Sequence, residues 1–364
     1  MTSAYRPDEI TVVIQDLHHR ITGVSATVQN VHQVQKKRYP IVMVSHRHDV
    51  AERTSLWKAL KICRTPTASG RPRIWHSRRN YEMMWGLIFK HLFRCPLKLV
   101  FTAAAKRKAS PFPRFLVSKM NAVIATSPDA ARFQKRVDAV VPHGVDCQRL
   151  APPESKRQCM EEFGHPDTVG VGIFGRVRPE KGTDLFVRAM IEVLPKFPQC
   201  KAFIIGRTTT QFSAFEADLR EQISQAGLTD RFVWMGEVPY GEVPRVFQAM
   251  SLVVAPARYE GFGVVPLEAM STGSPVVATR TGEYAEMITN GKNGWLVSID
   301  DLPALTDGIT DCLSDSDRLA AMGKFGRQFV LDRFSVEREA DAIGQVYEKV
   351  WGTTTSSKAL SRAA

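Results

Sequence analysis

Short apolar runs recur along this chain with helix-like stretches between them, and the series stops once and starts again. The first series is "ITVVIQDL" (residues 10–17), "YPIVMVS" (39–45), "RIWHS" (73–77), "LKLVFTA" (97–103) and "NAVIATS" (121–127). The second is "VGVGIFGRV" (169–177), "KAFIIG" (201–206), "FVWMG" (232–236), "LVVAPA" (252–257) and "PVVAT" (275–279). Runs that are apolar at nearly every position suit strands buried on both faces, hence a parallel sheet with helices above and below. Between the series lies "HGVDCQRLAPPESKRQC" (143–159), polar and carrying paired prolines, which reads as a linker. The expectation is an α/β protein of two domains, residues 1–150 and 165–333, joined by a linker at 151–164. "SVEREADAIGQVYEKVW" predicts a final helix, set at 334–351, and the polar residues 352–364 read as a disordered tail.

The 364 residues are 44% hydrophobic and 24% charged, enough to build the cores of two ordinary domains. No apolar run reaches the roughly 18 residues that cross a bilayer, and the N-terminus lacks a secretion pattern, so the expected location is the cytoplasm. The six cysteines form no C-x-x-C pair, which argues against a disulfide framework or a zinc site. The net charge of +12 is uneven. Residues 1–150 hold 26 Lys and Arg against 9 Asp and Glu, a net of +17, while the remainder holds 23 against 28, a net of −5. Only the first half is built to face a polyanion: nucleic acid, an anionic membrane or a phosphorylated substrate.

Three stretches of the second half carry chemistry. "GRVRPEKG" (175–182) follows a strand and precedes a helix, where backbone N–H groups meet an anion, and Arg176 and Lys181 add two cations. "RYEGFGVVPLEAM" (258–270) sets Glu260 just before a glycine turn and Glu268 about one turn into the next helix. Glu260 suits hydrogen bonds to sugar hydroxyls, and Glu268 suits the diol of a ribose, so the spacing serves one ligand gripped at two ends. Phe262 and Gly263 shape the turn between them. "TRTGEYAEMITNGKNGWLV" (279–297) offers a further turn to close the pocket. The one Asp-x-Asp string, Asp315–Asp317, lies far from these motifs, and no metal is expected. His18 and His19 read as a surface pair, and His143 as structural.

In this order, Gly-Arg-x(4)-Lys-Gly, Glu-Gly-Phe-Gly-x(4)-Glu-Ala-Met, Pro-Val-Val-Ala-Thr and Gly-Trp-Leu-Val resemble the retaining GT-B glycosyltransferases of family 4 (glycosyl transferases group 1). The resemblance implies two Rossmann-like domains facing across a cleft, with the C-terminal helix crossing back to the first. It implies a nucleotide-diphosphate-sugar donor, with Arg176 and Lys181 on the diphosphate, Glu260 on the sugar and Glu268 on the ribose. Retention implies that the donor's leaving phosphate deprotonates the acceptor, so that catalysis rests on charge stabilisation and positioning. In the first domain Gly23 matches the family's glycine-rich first loop. Thr102 stands where many members have a histidine, and His76 is the nearest catalytic alternative.

The basic half adds "IWHSRRNYEMMWGLIFKHLFRCPLKLVFTAAAKRKASPFPRF" (74–115), which mixes aromatics with Arg78, Arg79 and the cations near Lys106. Part of residues 81–94 reads as an amphipathic helix packed on the sheet. The cations suit an anionic membrane surface or an acidic lipid-linked sugar, with Arg78 and Arg79 as substrate-binding candidates. "IWHSRRNYE", "PLKLVFTAAA", "NAVIATS" and "FGRVRPEKGTDLFVRAMIEVLP" are similar to lipopolysaccharide core mannosyltransferases of rhizobia-like bacteria. That likeness implies transfer of mannose from GDP-mannose to the inner Kdo of a lipid A precursor, at the inner face of the cytoplasmic membrane. A UDP-sugar-dependent glucosyl- or galactosyltransferase is the alternative, and a basic nucleic-acid-binding protein is a remote one.

Overall fold

The computed structural model describes residues 5–18, 23–46 and 53–352, which divide into two compact units. The first unit is Met1–Gly144 together with Val336–Ala364, and the second is Val145–Ser335. The division corrects the sequence expectation at the junction. The first unit ends near residue 144, and residues 151–164 belong to the second unit rather than to a free linker. They carry the helix Lys156–Glu162, whose Cys159 and Met160 are buried in the second unit's core. The Lys156 ammonium donates to the carbonyls of Met250 and Thr272 and to Ser274 Oγ at 2.8–3.1 Å, which ties the helix down. Those partners lie about a hundred residues away, so no local pattern announces the helix.

In the first unit β1 (Val12–Asp16), β2 (Ile41–Ser45), β3 (Arg53–Thr54), β4 (Arg73–Ser77), β5 (Leu97–Ala103), β6 (Ala122–Ala125) and β7 (Ala139–Val140) form one parallel sheet of order β3-β2-β1-β4-β5-β6-β7. The short edge strands β3 and β7 left no apolar run to read. Helix α1 (Gly23–Gln35) covers one face of the sheet, and α2 (Leu56–Arg64), α3 (Asn80–Leu87) and α4 (Pro111–Ser118) cover the other. After the short helix α5 (Pro128–Arg132) and β7 the chain leaves this unit at Gly144.

The second unit opens with α6 (Lys156–Glu162) and repeats the plan. β8 (Val169–Phe174), β9 (Cys200–Ile205), β10 (Phe232–Gly236), β11 (Met250–Ala255), β12 (Val276–Thr279) and β13 (Gly294–Val297) form a parallel sheet of order β10-β9-β8-β11-β12-β13. Its helices are α7 (Thr183–Val193), α8 (Ser213–Gln225), α9 (Val243–Ala249), α10 (Val265–Ser271), α11 (Tyr284–Met287), α12 (Leu302–Leu313) and α13 (Ser316–Arg333). Asp315 caps α13 by accepting from the Asp317 and Arg318 amides at 3.0 Å, which accounts for the Asp-x-Asp string.

The last helix, α14 (Val336–Trp351), returns to the first unit and packs along α1. Its apolar stripe of Val336, Ala340, Ile343, Val346 and Tyr347 is buried with Val28 and Val31. Glu339 of α14 accepts from His143 Nδ1 at 3.0 Å and from the Gly144 amide at 2.8 Å, which pins the end of the first unit. The tail residues 353–364, and His19, lie outside the described residues. No helix among the described residues is long and apolar enough to cross a membrane.

Both sheets change direction beside their first strand, between β1 and β4 and between β8 and β11. The loops at the carboxyl ends of strands flanking such a switch are where α/β folds take ligands.

Candidate active site

β8 ends at Phe174, and the chain turns through Gly175–Gly182 before α7 begins. The turn is stitched to the next loop: the Gly175 amide donates to the Ile205 carbonyl at 2.9 Å, and the Val177 amide to the Arg207 carbonyl at 3.1 Å. Gly182 closes it at φ +70°, and a Cβ there would fall 1.9 Å from the Pro256 carbonyl oxygen, so only glycine fits. The stem of Lys181 folds back over Gly175, at 3.5 Å from where a Cβ would stand. Its ammonium pairs with Glu260 Oε1. Arg176 is exposed at the mouth of the same turn. Partial desolvation and the neighbouring Arg178 and Arg207 guanidinium groups push its pKa down.

The second carboxyl-end loop is held to the first by Arg258. Its guanidinium forks onto Asp184 at 2.8 Å through both nitrogens and reaches Asp300 Oδ1 at 2.7 Å, while its amide donates to the Glu180 carbonyl at 2.9 Å. Burial alone would raise the Asp184 carboxyl, but the fork carries it below its ordinary value. Past Arg258 the Glu260 amide donates to Thr281 Oγ1 at 3.2 Å, and the Phe262 carbonyl accepts from the Glu283 amide at 3.0 Å. The Phe262 ring is buried in the core, so this residue shapes the turn through its backbone and offers no ring to a ligand. Gly263 stands at φ +84°, and a Cβ there would lie 2.3 Å from the buried Tyr284 ring.

Glu268 lies in the first turn of α10. Burial pushes its carboxyl up to about 7, against the pull of Arg149 and Lys181. Arg149 is anchored on the Tyr240 carbonyl and lies over the Tyr240 ring with 4.2 Å from Cζ to centroid. Arg176, Lys181, Glu260, Phe262, Gly263 and Glu268 thus all stand on the two loops, and the short helix, that follow β8 and β11. Cations and carboxylates at a strand-end switch, flanked by backbone amides, can hold a diphosphate and its two sugars.

The other predicted residues lie in the first unit. Gly23 is the exposed first residue of α1. His76 is buried, with Nδ1 at 2.7 Å from the Tyr347 hydroxyl and Nε2 at 2.8 Å from Thr102 Oγ1. Burial drives its pKa well below the usual value, so it is a neutral packing histidine, and the expectation of a catalytic His76 is corrected. Thr102, which stands where many members have a histidine, is its hydrogen-bond partner. Arg79 is also committed inward: Nη1 donates to Asp16 at 3.1 Å and to Glu82 at 3.2 Å, and Nη2 to Ser25 Oγ at 3.2 Å. It positions the end of β1 rather than meeting a ligand. Arg78 differs, because its Nε and Nη2 find no hydrogen-bond partner among the described residues.

Sequence reasoning missed Arg149, Asp184, Tyr240, Arg258 and Tyr284. Arg258 opens the very motif that carries Glu260, and a cation before a carboxylate-bearing turn was a readable signal. Arg149 sits in a stretch that looked like linker and gave none.

Comparison with known proteins bears on the family and the fold. The family model described as glycosyl transferases group 1 matches residues 160–329. The lipopolysaccharide core biosynthesis mannosyltransferase LpcC of Rhizobium leguminosarum bv. viciae is 39% identical over 350 residues, 96% of this chain and 99% of that protein. The lipopolysaccharide core biosynthesis mannosyltransferase LpsB of Rhizobium meliloti is 38% identical over 356 residues, 94% of this chain and 98% of that protein. Among solved structures, Anabaena HepE in complex with UDP superposes with a TM-score of 0.77 at 20% identity, covering 93% of this chain and all of that one.

Proposed function

The chain belongs to the glycosyl transferases group 1 family and has an α/β GT-B fold, so it is a glycosyltransferase, and on that premise we propose that it is a retaining mannosyltransferase of lipopolysaccharide core assembly. The donor is GDP-mannose, and the acceptor is the inner Kdo of a lipid A precursor at the inner face of the cytoplasmic membrane. The observation that carries this reading is a likeness to two lipopolysaccharide core mannosyltransferases along nearly the full length of each. The +17 charge of residues 1–150 supports it, because Kdo bears a carboxylate and lipid A bears phosphates.

In the transfer step the bond from the anomeric carbon to the diphosphate breaks, and a bond to the acceptor hydroxyl forms on the same face. The hydroxyl proton passes to the departing phosphate oxygen. Arg176, Lys181 and the amides of the two turns stabilise the charge that develops there. Lys181 pairs with Glu260. Diphosphate binding draws the ammonium away and releases the Glu260 carboxylate to the sugar hydroxyls. Glu268 accepts the ribose diol. No protein nucleophile and no metal take part.

The test presents the purified protein with GDP-mannose, UDP-glucose and UDP-galactose, each with a Kdo-bearing lipid A precursor, and identifies the product by mass spectrometry and linkage analysis. Mannose on Kdo, undiminished by a chelator, is the expected result. Transfer from a UDP-sugar alone would replace the reading with a glucosyl- or galactosyltransferase.

A further inference from the structure

The first unit carries a one-sided surface that the chemistry above does not use. Helices α2, α3 and α4 bury their inner sides in a common core, with Ala59 and Cys63, Met83, and Leu116 respectively. Their outer sides are unusually apolar. On α3, Met83 and Gly86 face inward, while Met84 and Trp85 are 40% and 36% exposed. On α4, which packs against α3, only Leu116 is buried, and Phe112 and Phe115 are each 55% exposed three residues apart. Trp57, on α2 of the same layer, is 75% exposed. The helix foreseen at residues 81–94 therefore does pack on the sheet, and it also shows solvent an aromatic side.

Charge on this layer is equally one-sided. Between residues 53 and 128 there are sixteen Lys and Arg and one acidic residue, Glu82, which is buried and bonded to Arg79. Arg73 and Arg79 are spent inward, and Arg71 and Lys106 pair with Glu348 and Asp129, so the charge that counts here is the exposed part beside α4. Arg107 and Lys108 are exposed just ahead of α4, and Arg114 is exposed on it between the two phenylalanines. A patch of this make-up has one good partner. A globular protein partner would meet the apolar side chains but not the exposed Arg107, Lys108 and Arg114. Nucleic acid would meet the cations, yet gains little from aliphatic Met84 or from rings on a convex helix. An anionic bilayer answers both, taking rings and aliphatic chains below the headgroups and cations among them.

We propose that the outer face of α3 and α4 is a membrane-docking surface that inserts Met84, Trp85, Phe112 and Phe115 into an anionic lipid leaflet, with Arg107, Lys108 and Arg114 at headgroup level. The inference rests on the membrane-surface reading given above and supplies its contact face. Each cation near an anionic surface raises binding about fivefold. Burying two half-exposed rings adds tenfold or more.

The experiment is sedimentation of the full-length protein with vesicles of phosphatidylcholine alone and of equimolar phosphatidylcholine and phosphatidylglycerol. Binding to the mixed vesicles only, quenching of Trp85 by brominated acyl chains, and at least tenfold weaker binding by Phe112→Ser/Phe115→Ser are the expected results. Arg107→Ser/Lys108→Ser/Arg114→Ser should lose about a hundredfold. Both variants should keep the wild-type melting temperature, since the changed residues are exposed, and the phenylalanine variant should keep the wild-type rate on a water-soluble Kdo acceptor. Wild-type binding by the phenylalanine variant, no quenching in the wild type, or equally tight binding to duplex DNA would overturn the proposal. Failure of the wild type on the soluble acceptor with vesicle binding intact would instead strike the transferase reading and leave this surface standing.

Discussion

Under the proposed function, Glu268 trades stability for binding. Its carboxyl is raised from 4.5 to about 7 by burial, so the folded protein binds its proton more tightly than the unfolded chain. The stability this group contributes is fully present below pH 4.5 and is lost as the pH rises through 7, a cost of about 3 kcal/mol above that point. Glu268→Gln should therefore raise the melting temperature at pH 8 and leave it nearly unchanged at pH 4, while weakening donor binding by about a hundredfold or more. Paired thermal scans and donor titrations check both halves. A variant no more stable at pH 8 than the wild type would refute the buried-carboxylate account. His76 behaves in the opposite sense. It is neutral and enclosed by Tyr347 and Thr102, so His76→Ala should cost about 2–4 kcal/mol of first-unit stability. The pH profile of kcat should keep its shape, and the loss of a limb would restore a catalytic role.

Among the elements, the two donor loops are one mechanical piece because Arg258 bridges them. Asp184 begins α7, Glu180 belongs to the first loop, and Asp300 follows β13, yet all three are bonded to one guanidinium or its amide. Arg258→Met removes the fork without removing bulk. It should cost about 2 kcal/mol of stability and lower kcat/KM for donor about tenfold or more, through loosened placement of Lys181 and Glu260. Unchanged kinetics with lowered stability would show the clamp to be structural only. The strands were legible at this scale, β4 and β5 to the residue, because apolar runs bounded by polar turns are a local signal. The glycine turns of the candidate site were legible too, since glycine at φ +70° or +84° is a local requirement. Arg149 over Tyr240 was not, because 91 residues separate them and their meeting depends on how the sheet is folded.

For the whole molecule, the chain crosses from the first unit to the second and back, and α14 completes the unit that the N-terminus begins. A chain ending at Ser335 would expose Val28, Val31 and the strands beneath them. At about 2 kcal/mol for each larger apolar side chain of α14, that loss rivals the total margin of about 5–15 kcal/mol that a domain possesses. Hydrogen exchange on the truncated chain should show residues 5–144 unprotected and residues 145–335 protected, with donor binding retained. Protection of both halves would mean that α14 is dispensable.

The sequence by itself determined the two parallel sheets and the charged and glycine-bearing loops of the candidate site, because strand patterning and turn chemistry are written within a few residues. Only the tertiary structure decided that residues 151–164 join the second unit and that His76 and Arg79 serve packing. Each of those outcomes is set by which side chains meet across a hundred residues or more, or across neighbouring strands, and by the water that burial removes from them.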